Sequence, residues 1–122
     1  MTSRGHRRAQ PDEMEARAWL AAANQGPVPL ALNHFKTRIA VESFVNGLYS
    51  LGAPKVTACN ISYSDGPDIE TSHSDSLIVA LPKDAKNREA IIELCNLHCM
   101  ADSSTGARFT DQGQANLSLW WD

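Results

Sequence analysis

The run C-N-L-H-C places two cysteines and a histidine close together, as Cys95, His98 and Cys99. On a helix, residues three and four positions apart lie on the same side, and thiolate sulfur and imidazole nitrogen are usual ligands of Zn²⁺. Cys59 or His73 could supply a fourth ligand. Structural zinc sites typically combine two such pairs from separate segments, however, and the sequence has no second pair. Because free cysteine packs as a small hydrophobic residue, the pattern favours core packing, and a Cys/His metal-binding protein is an alternative.

A second group of polar side chains lies where the first predicted strand meets the helix that follows it. This group contains His34, Lys36 and Arg38. The free N–H groups of a helix N-terminus, together with cations, can bind an anion, and Asn60 could position such a ligand. The glycine-rich turn that a phosphate cradle would use is absent, so solvated surface cations are the simpler explanation. A small anion-binding, phosphate-binding or hydrolytic domain is the corresponding alternative function.

Carboxylates cluster in residues 65–75, in a stretch of chain without Lys or Arg. They are Asp65, Asp68, Glu70 and Asp75. Clustered carboxylates can bind a hard cation such as Ca²⁺, but the spacing does not match a calcium-binding loop and Pro67 interrupts it. The pattern therefore favours a solvated acidic loop.

Three aromatic residues are candidates for a contact surface. Tyr63 and Trp120 fall in predicted strands, and Trp19 falls in a leading helix. RNA-recognition domains stack bases on aromatic residues of a sheet, but the glycine, aromatic and basic pattern of those domains is absent here. Aromatic residues are also enriched at protein interfaces, so we predict that these three contribute to a protein contact.

Length and charge exclude several classes of protein. The chain has 122 residues and a formal net charge of −3, and a second hydrophobic core would have too little chain to bury itself. The first ten residues hold three arginines and no acid, so the rest carries eight Lys and Arg against 14 Asp and Glu. A body of that sign repels phosphate backbones, and we therefore expect no nucleic-acid partner.

Cysteine usage and hydropathy predict the compartment. The chain has three cysteines, and an odd number without a secretory signal indicates reduced thiols. The basic N-terminus is not followed by the apolar stretch of such a signal. No apolar run approaches the roughly 20 residues that cross a bilayer. We predict a cytoplasmic location and no membrane partner.

Hydrophobic periodicity divides the chain into a short arm and one domain. Residues 1–10 show no periodicity and are predicted to be a disordered basic arm, and residues 11–122 are predicted to form a single α+β domain. Thr37 and Asp84 are suitable N-caps for the two longer helices. The predicted elements are a leading helix near 11–24, strands at 30–35, 55–63, 75–82 and 115–121, and helices at 37–51 and 84–101.

The order of these elements after the leading helix is β-α-β-β-α-β. It predicts a ferredoxin-like split βαβ sandwich with an extra N-terminal helix, in which both helices cover one face of a four-stranded antiparallel sheet. The strand at 75–82 has five consecutive apolar residues, which indicates a central buried strand. In the last strand, Leu117 and Leu119 alternate with Ser118 and Trp120, so Trp120 is expected on the face opposite the helices.

The function suggested by these patterns is an interaction or regulatory domain without catalytic activity. The sequence has no nucleophile–base triad, no paired carboxylates on regular elements and no phosphate-binding loop, and it indicates no cofactor. A sheet face left open by the two helices would be covered either by the leading helix or by a partner. We predict a homodimer that associates through that face, or a complex with another protein.

Overall fold

The computed structural model describes residues 10–25, 28–63, 68–99 and 107–121. The predicted arm at residues 1–10 therefore lies outside the described residues, except for Gln10. The elements in chain order are β1 (Met14–Glu15), α1 (Ala16–Ala22), α2 (Leu32–Phe35), α3 (Arg38–Ser50), β2 (Val56–Cys59), a 3₁₀ turn (Ile69–Thr71), β3 (Ser76–Ala80), α4 (Ala85–His98) and β4 (Asn116–Trp120).

The four strands form one sheet in the order β1-β2-β3-β4, and each neighbouring pair is antiparallel. The prediction of a mixed α+β fold with a four-stranded antiparallel sheet is confirmed. The ferredoxin-like split βαβ order is not confirmed, because each strand pairs with the next one along the chain. The helices are inserted between paired neighbours: α1, α2 and α3 between β1 and β2, and α4 between β3 and β4.

The strand predicted at residues 30–35 is wrong. Leu30 makes one isolated parallel bridge with Ser74, and the chain then turns into α2. Ala31 and Lys36, which flank this helix, have positive φ angles of 45° and 67°, so extended backbone cannot continue on either side. The apolar residues of this stretch alternate, but they do not share one face of a sheet: Leu30 is fully buried and Leu32 is half exposed.

The leading helix is shorter than predicted and lies in the core. Met14 and Glu15 pair with β2 as the first strand of the sheet, and α1 begins directly after them. The Glu15 carboxylate caps α1 by accepting from the backbone N–H groups of Arg17 and Ala18. Trp19 is fully buried, and α1 contributes to the same hydrophobic core as the other helices.

The two long helices agree with the predictions. Thr37 accepts from the Ala40 N–H at the start of α3, and Asp84 accepts from the Asn87 N–H at the start of α4. Both side chains satisfy N–H groups that have no partner within the helix. The helices approach each other at Gly47, where a β-carbon would lie 3.3 Å from the Leu94 side chain.

The sheet has two unlike faces. Its inward face packs against the helices and consists of apolar residues that are all nearly fully buried: Val56, Ala58, Leu77, Val79, Leu117 and Leu119. On its outward face, the alternate residues of β2, β3 and β4 stand in three rows across the sheet: Ala80 and Asn116, then Thr57, Ile78 and Ser118, then Cys59, Ser76 and Trp120. None of these outward residues belongs to the core cluster.

Candidate functional site

Two histidines from distant parts of the chain meet beside a group of aromatic rings. The Nε2 atom of His34, on α2, lies 3.0 Å from the Nδ1 atom of His98, at the end of α4. The His98 ring stacks on Phe35 with a centroid distance of 5.4 Å and meets Phe44 edge-on at 4.9 Å. The Trp121 indole stacks near His34 at 6.2 Å. We call these five residues the ring cluster.

The ring cluster gives its two histidines different surroundings. His34 is exposed, whereas His98 is half-buried against Phe35 and Phe44, which are themselves buried. Burial lowers the pKa of His98, and the neighbouring His34 lowers it further. His98 is therefore held toward its neutral form, in which one ring nitrogen donates and the other accepts a hydrogen bond.

The structure places Cys95, His98 and Cys99, the predicted Cys/His group, in three different environments. Cys95 is fully buried, and burial raises the pKa of its thiol to about 12. The Cys99 sulfur donates to the Trp120 carbonyl at 3.2 Å, and His98 faces His34. Among the described residues, no three His, Cys, Asp or Glu side chains are grouped so that they could hold a metal ion.

The proposed further ligands of that group lie on other parts of the fold. Cys59 is on the outward face at the end of β2, and His73 forms an isolated bridge with Ser62. Of the acidic stretch at 65–75, Asp65 and Pro67 lie outside the described residues. Its described part begins with the 3₁₀ turn and continues into β3.

Arg38, predicted for anion binding, stabilises the end of α1 instead. Its Nη1 donates to the Ala23 carbonyl at 2.7 Å and its Nη2 donates to the Leu20 carbonyl. Its Nε donates to the Glu42 carboxylate at 3.0 Å. These contacts satisfy carbonyl groups at the C-terminal end of a helix, where a cation is also favoured by the helix dipole.

The other predicted anion ligands do not join Arg38. His34 is in the ring cluster, and Lys36 is the exposed residue that ends α2. Asn60 follows β2 with a positive φ of 51° and donates to the Ser76 hydroxyl at 3.4 Å. His34, Arg38 and Asn60 therefore have separate partners, and the structure does not bring the four side chains together around one point.

A groove with a volume of about 200 Å³ runs between α1 and α3 and is open to solvent. Arg17 and Arg38 line it from opposite sides together with Glu42 and Asn46. The Arg17 Nε donates to the Asn46 side-chain carbonyl at 3.0 Å, and its guanidinium lies 4.2 Å above the Tyr49 ring. Both guanidinium groups therefore have partners within the chain.

The three predicted contact residues have three different environments. Trp19 donates its indole N–H to the Ser72 hydroxyl at 3.0 Å within the core, so it is absent from the surface. Tyr63 is half-buried, and its hydroxyl donates to the Pro11 carbonyl at 2.8 Å. Trp120 is 61% exposed on the outward face.

The outward residues near Trp120 differ in burial and are all uncharged. Ile78 and Thr57 are half-buried, and Cys59 and Ser76 are buried. No charged residue occurs among the outward residues of β2, β3 and β4. The outward residues of these three strands therefore include one large exposed aromatic ring and no charge. Burial raises the pKa of the Cys59 thiol, and Glu13, which precedes β1, lies near enough to raise it further.

No protein-family model matches the chain, and neither a curated protein nor a solved structure matches it. Among the described residues, no helix has both the length and the hydropathy that a membrane crossing requires.

Proposed function

We propose that this chain is a non-enzymatic interaction domain that self-associates through the outward face of its sheet. The exposure of Trp120, at 61% of its surface, carries the proposal. A tryptophan can bury about 150–250 Å² in a contact and dominates the energy of many interfaces. Trp120 is the last residue of the edge strand β4 and stands beside the uncharged outward residues of β3 and β2. An exposed tryptophan in that position is a candidate for an interface residue.

The chemistry of the outward face supports a second copy of the chain as the partner. The outward residues of β2, β3 and β4 carry no charge that a partner would have to neutralise, and their rows of side chains can pack against the same rows of another copy related by a two-fold axis. A charged partner would gain nothing from this surface, because complementary potentials require a field of defined sign.

The size of the face supports a reversible association. Three strands spaced about 4.8 Å apart, with about 3.3 Å per residue along each, give a face of a few hundred Å². Stable complexes bury about 800 Å² on each partner. We therefore expect a weak dimer whose population depends on concentration.

The position of α1 also supports a role for the outward face. The sequence alone does not decide whether the leading helix or a second subunit covers the sheet face that the two long helices leave open. Trp19 and Leu20 belong to the same core as the inward face of the sheet. The helix α1 therefore lies on the inward side and does not cover the outward face. We also infer a cytoplasmic location, which the three buried cysteines support, since none of them forms a disulfide among the described residues.

Light scattering across a wide range of protein concentrations tests the proposal. We expect the mass to rise from 13.3 kDa toward twice that value as concentration increases. Trp120→Ser should keep the chain monomeric. Ile39→Ser is the matched control, since Ile39 is 75% exposed on α3, and it should associate like the parent chain. A parent chain that stays monomeric at every concentration, or a Trp120→Ser variant that associates equally well, would exclude this function.

A further inference from the structure

We propose that His34 and His98 form a binding site for a divalent transition-metal ion of the Zn²⁺, Ni²⁺ and Cu²⁺ class. The site would be completed by water. It differs from the C-N-L-H-C group in its ligands, because it takes one histidine from α2 and one from α4 and uses no cysteine. It is also independent of the outward face.

The distance between the two rings carries the proposal. The facing nitrogens are 3.0 Å apart. Two imidazole nitrogens at about 2.0–2.1 Å from one tetrahedral ion are about 3.3–3.4 Å apart. A metal ion can therefore replace the hydrogen bond between the rings after a shift of a few tenths of an ångström and a small rotation of each ring.

One of the two ligands is held in place and the other is accessible. Phe35 and Phe44 pack against the His98 ring, and the Trp121 indole N–H donates to the His98 carbonyl at 2.6 Å. These contacts fix His98 in the way that surrounding side chains orient metal ligands. His34 is exposed on a short helix, so it can turn toward an ion and leave room for water.

The ligand set predicts which ions bind and how firmly. Imidazole nitrogen suits Zn²⁺, Ni²⁺ and Cu²⁺, whereas Mg²⁺ and Ca²⁺ prefer oxygen. Within the described parts of the chain, no third His, Cys, Asp or Glu completes the pair. Two protein ligands leave coordination positions open, so the ion should exchange with solvent and should not be required for folding.

Thermal unfolding of the untagged chain with ZnCl2, NiCl2 or CuCl2 tests the site. A ligand that binds the folded state raises the unfolding temperature, so each of these salts should raise it, and MgCl2 should not. His34→Gln is the decisive variant because His34 is exposed, and the variant should fold but lose the metal-dependent rise. His98→Gln should lose it as well. His73→Gln, on another part of the fold, should keep it.

A spectroscopic measurement separates binding at this pair from binding elsewhere. With one equivalent of CuCl2, electron paramagnetic resonance should show nitrogen coupling from two imidazoles in the parent chain and in His73→Gln. His34→Gln should lose this signature. The absence of any metal-dependent rise in the parent chain would overturn the proposal, as would an unchanged rise and an unchanged spectrum in His34→Gln.

Discussion

The inward and outward faces of the sheet are built from alternate residues of the same strands. Leu77, on the inward face, is 1% exposed, while the next residue, Ile78, is only half-buried. In β4, Leu119 is nearly fully buried and Trp120 beside it is 61% exposed. Two apolar neighbours can therefore differ almost completely in environment, because successive side chains of a strand point to opposite faces.

This difference shows that an apolar strand is not necessarily buried on both faces of its sheet. The apolar run in β3 predicted a central buried strand in a sheet with helices on one face. β3 is central, since it pairs with β2 and β4, but among the described residues the helices pack on its inward face, and Ile78 on its outward face is only half-buried. We expect the inward residues to contribute most to the stability of the fold and the outward residues to form the contact with a partner.

The largest expected effect contrasts Leu77→Ala with Ile78→Ala. Leu77→Ala should reduce the free energy of unfolding by ~2–5 kcal/mol, because it leaves a cavity in a closely packed core. Ile78→Ala should cost less than half as much when urea unfolding is measured at a concentration where the chain is monomeric. Equal losses under that condition would contradict the contrast between the faces.

The two tryptophans provide a second contrast. Trp19→Phe should reduce the free energy of unfolding by about 1–3 kcal/mol, because it removes a buried hydrogen bond to Ser72. Trp120→Phe on the outward face should stay within about 0.5 kcal/mol of the parent chain. Both variants can be compared by thermal and urea unfolding. A larger loss for Trp120→Phe in the monomer would mean that the outward face is covered.

The pH dependence of the free energy of unfolding should distinguish a cysteine in the core from a cysteine on the outward face. The pKa of Cys95 is raised from 9.0 to about 12 by burial. The unfolded chain therefore loses this proton before the folded chain does. The resulting contribution to stability is complete below pH 9 and is lost as the pH rises toward 12. At about pH 10 the loss should be about 1–2 kcal/mol.

The matched variants for this measurement are Cys95→Ala and Cys59→Ala. Urea unfolding between neutral and alkaline pH should show a shallower decline for Cys95→Ala than for the parent chain. Cys59 lies on the outward face, and burial also raises its pKa, but Cys59→Ala should change the decline less. Identical pH profiles for Cys95→Ala and the parent chain would contradict the burial of the Cys95 thiol.

The smallest expected effect is at Ser118, which is exposed in the middle of β4. Ser118→Thr should raise the free energy of unfolding by a few tenths of a kcal/mol, because β-branched side chains favour extended backbone. Thermal unfolding of the monomer can measure the change. A loss above about 1 kcal/mol would indicate that Ser118 is packed.

Local signals in the sequence determined the two long helices and the last strand. Thr37 and Asp84 cap helices whose hydrogen bonds join residues only four positions apart. The alternation through Leu117, Ser118 and Leu119 likewise needs no knowledge of distant residues. These elements could be predicted because the interactions that define them lie within one short segment.

The tertiary structure alone decided the strand order, the first strand and the histidine pair. Met14 becomes part of a strand only because Ala58 lies beside it. The apolar residues around Leu30 could have formed a strand, but the backbone has positive φ angles at both ends of α2. Leu30 is therefore buried in the core, whereas Leu32 is half exposed. His34 and His98 are 64 positions apart, and no spacing pattern predicts that they meet. Their contact depends on the path of the whole chain, because it is the packing of α2 against the end of α4 that brings the two rings together.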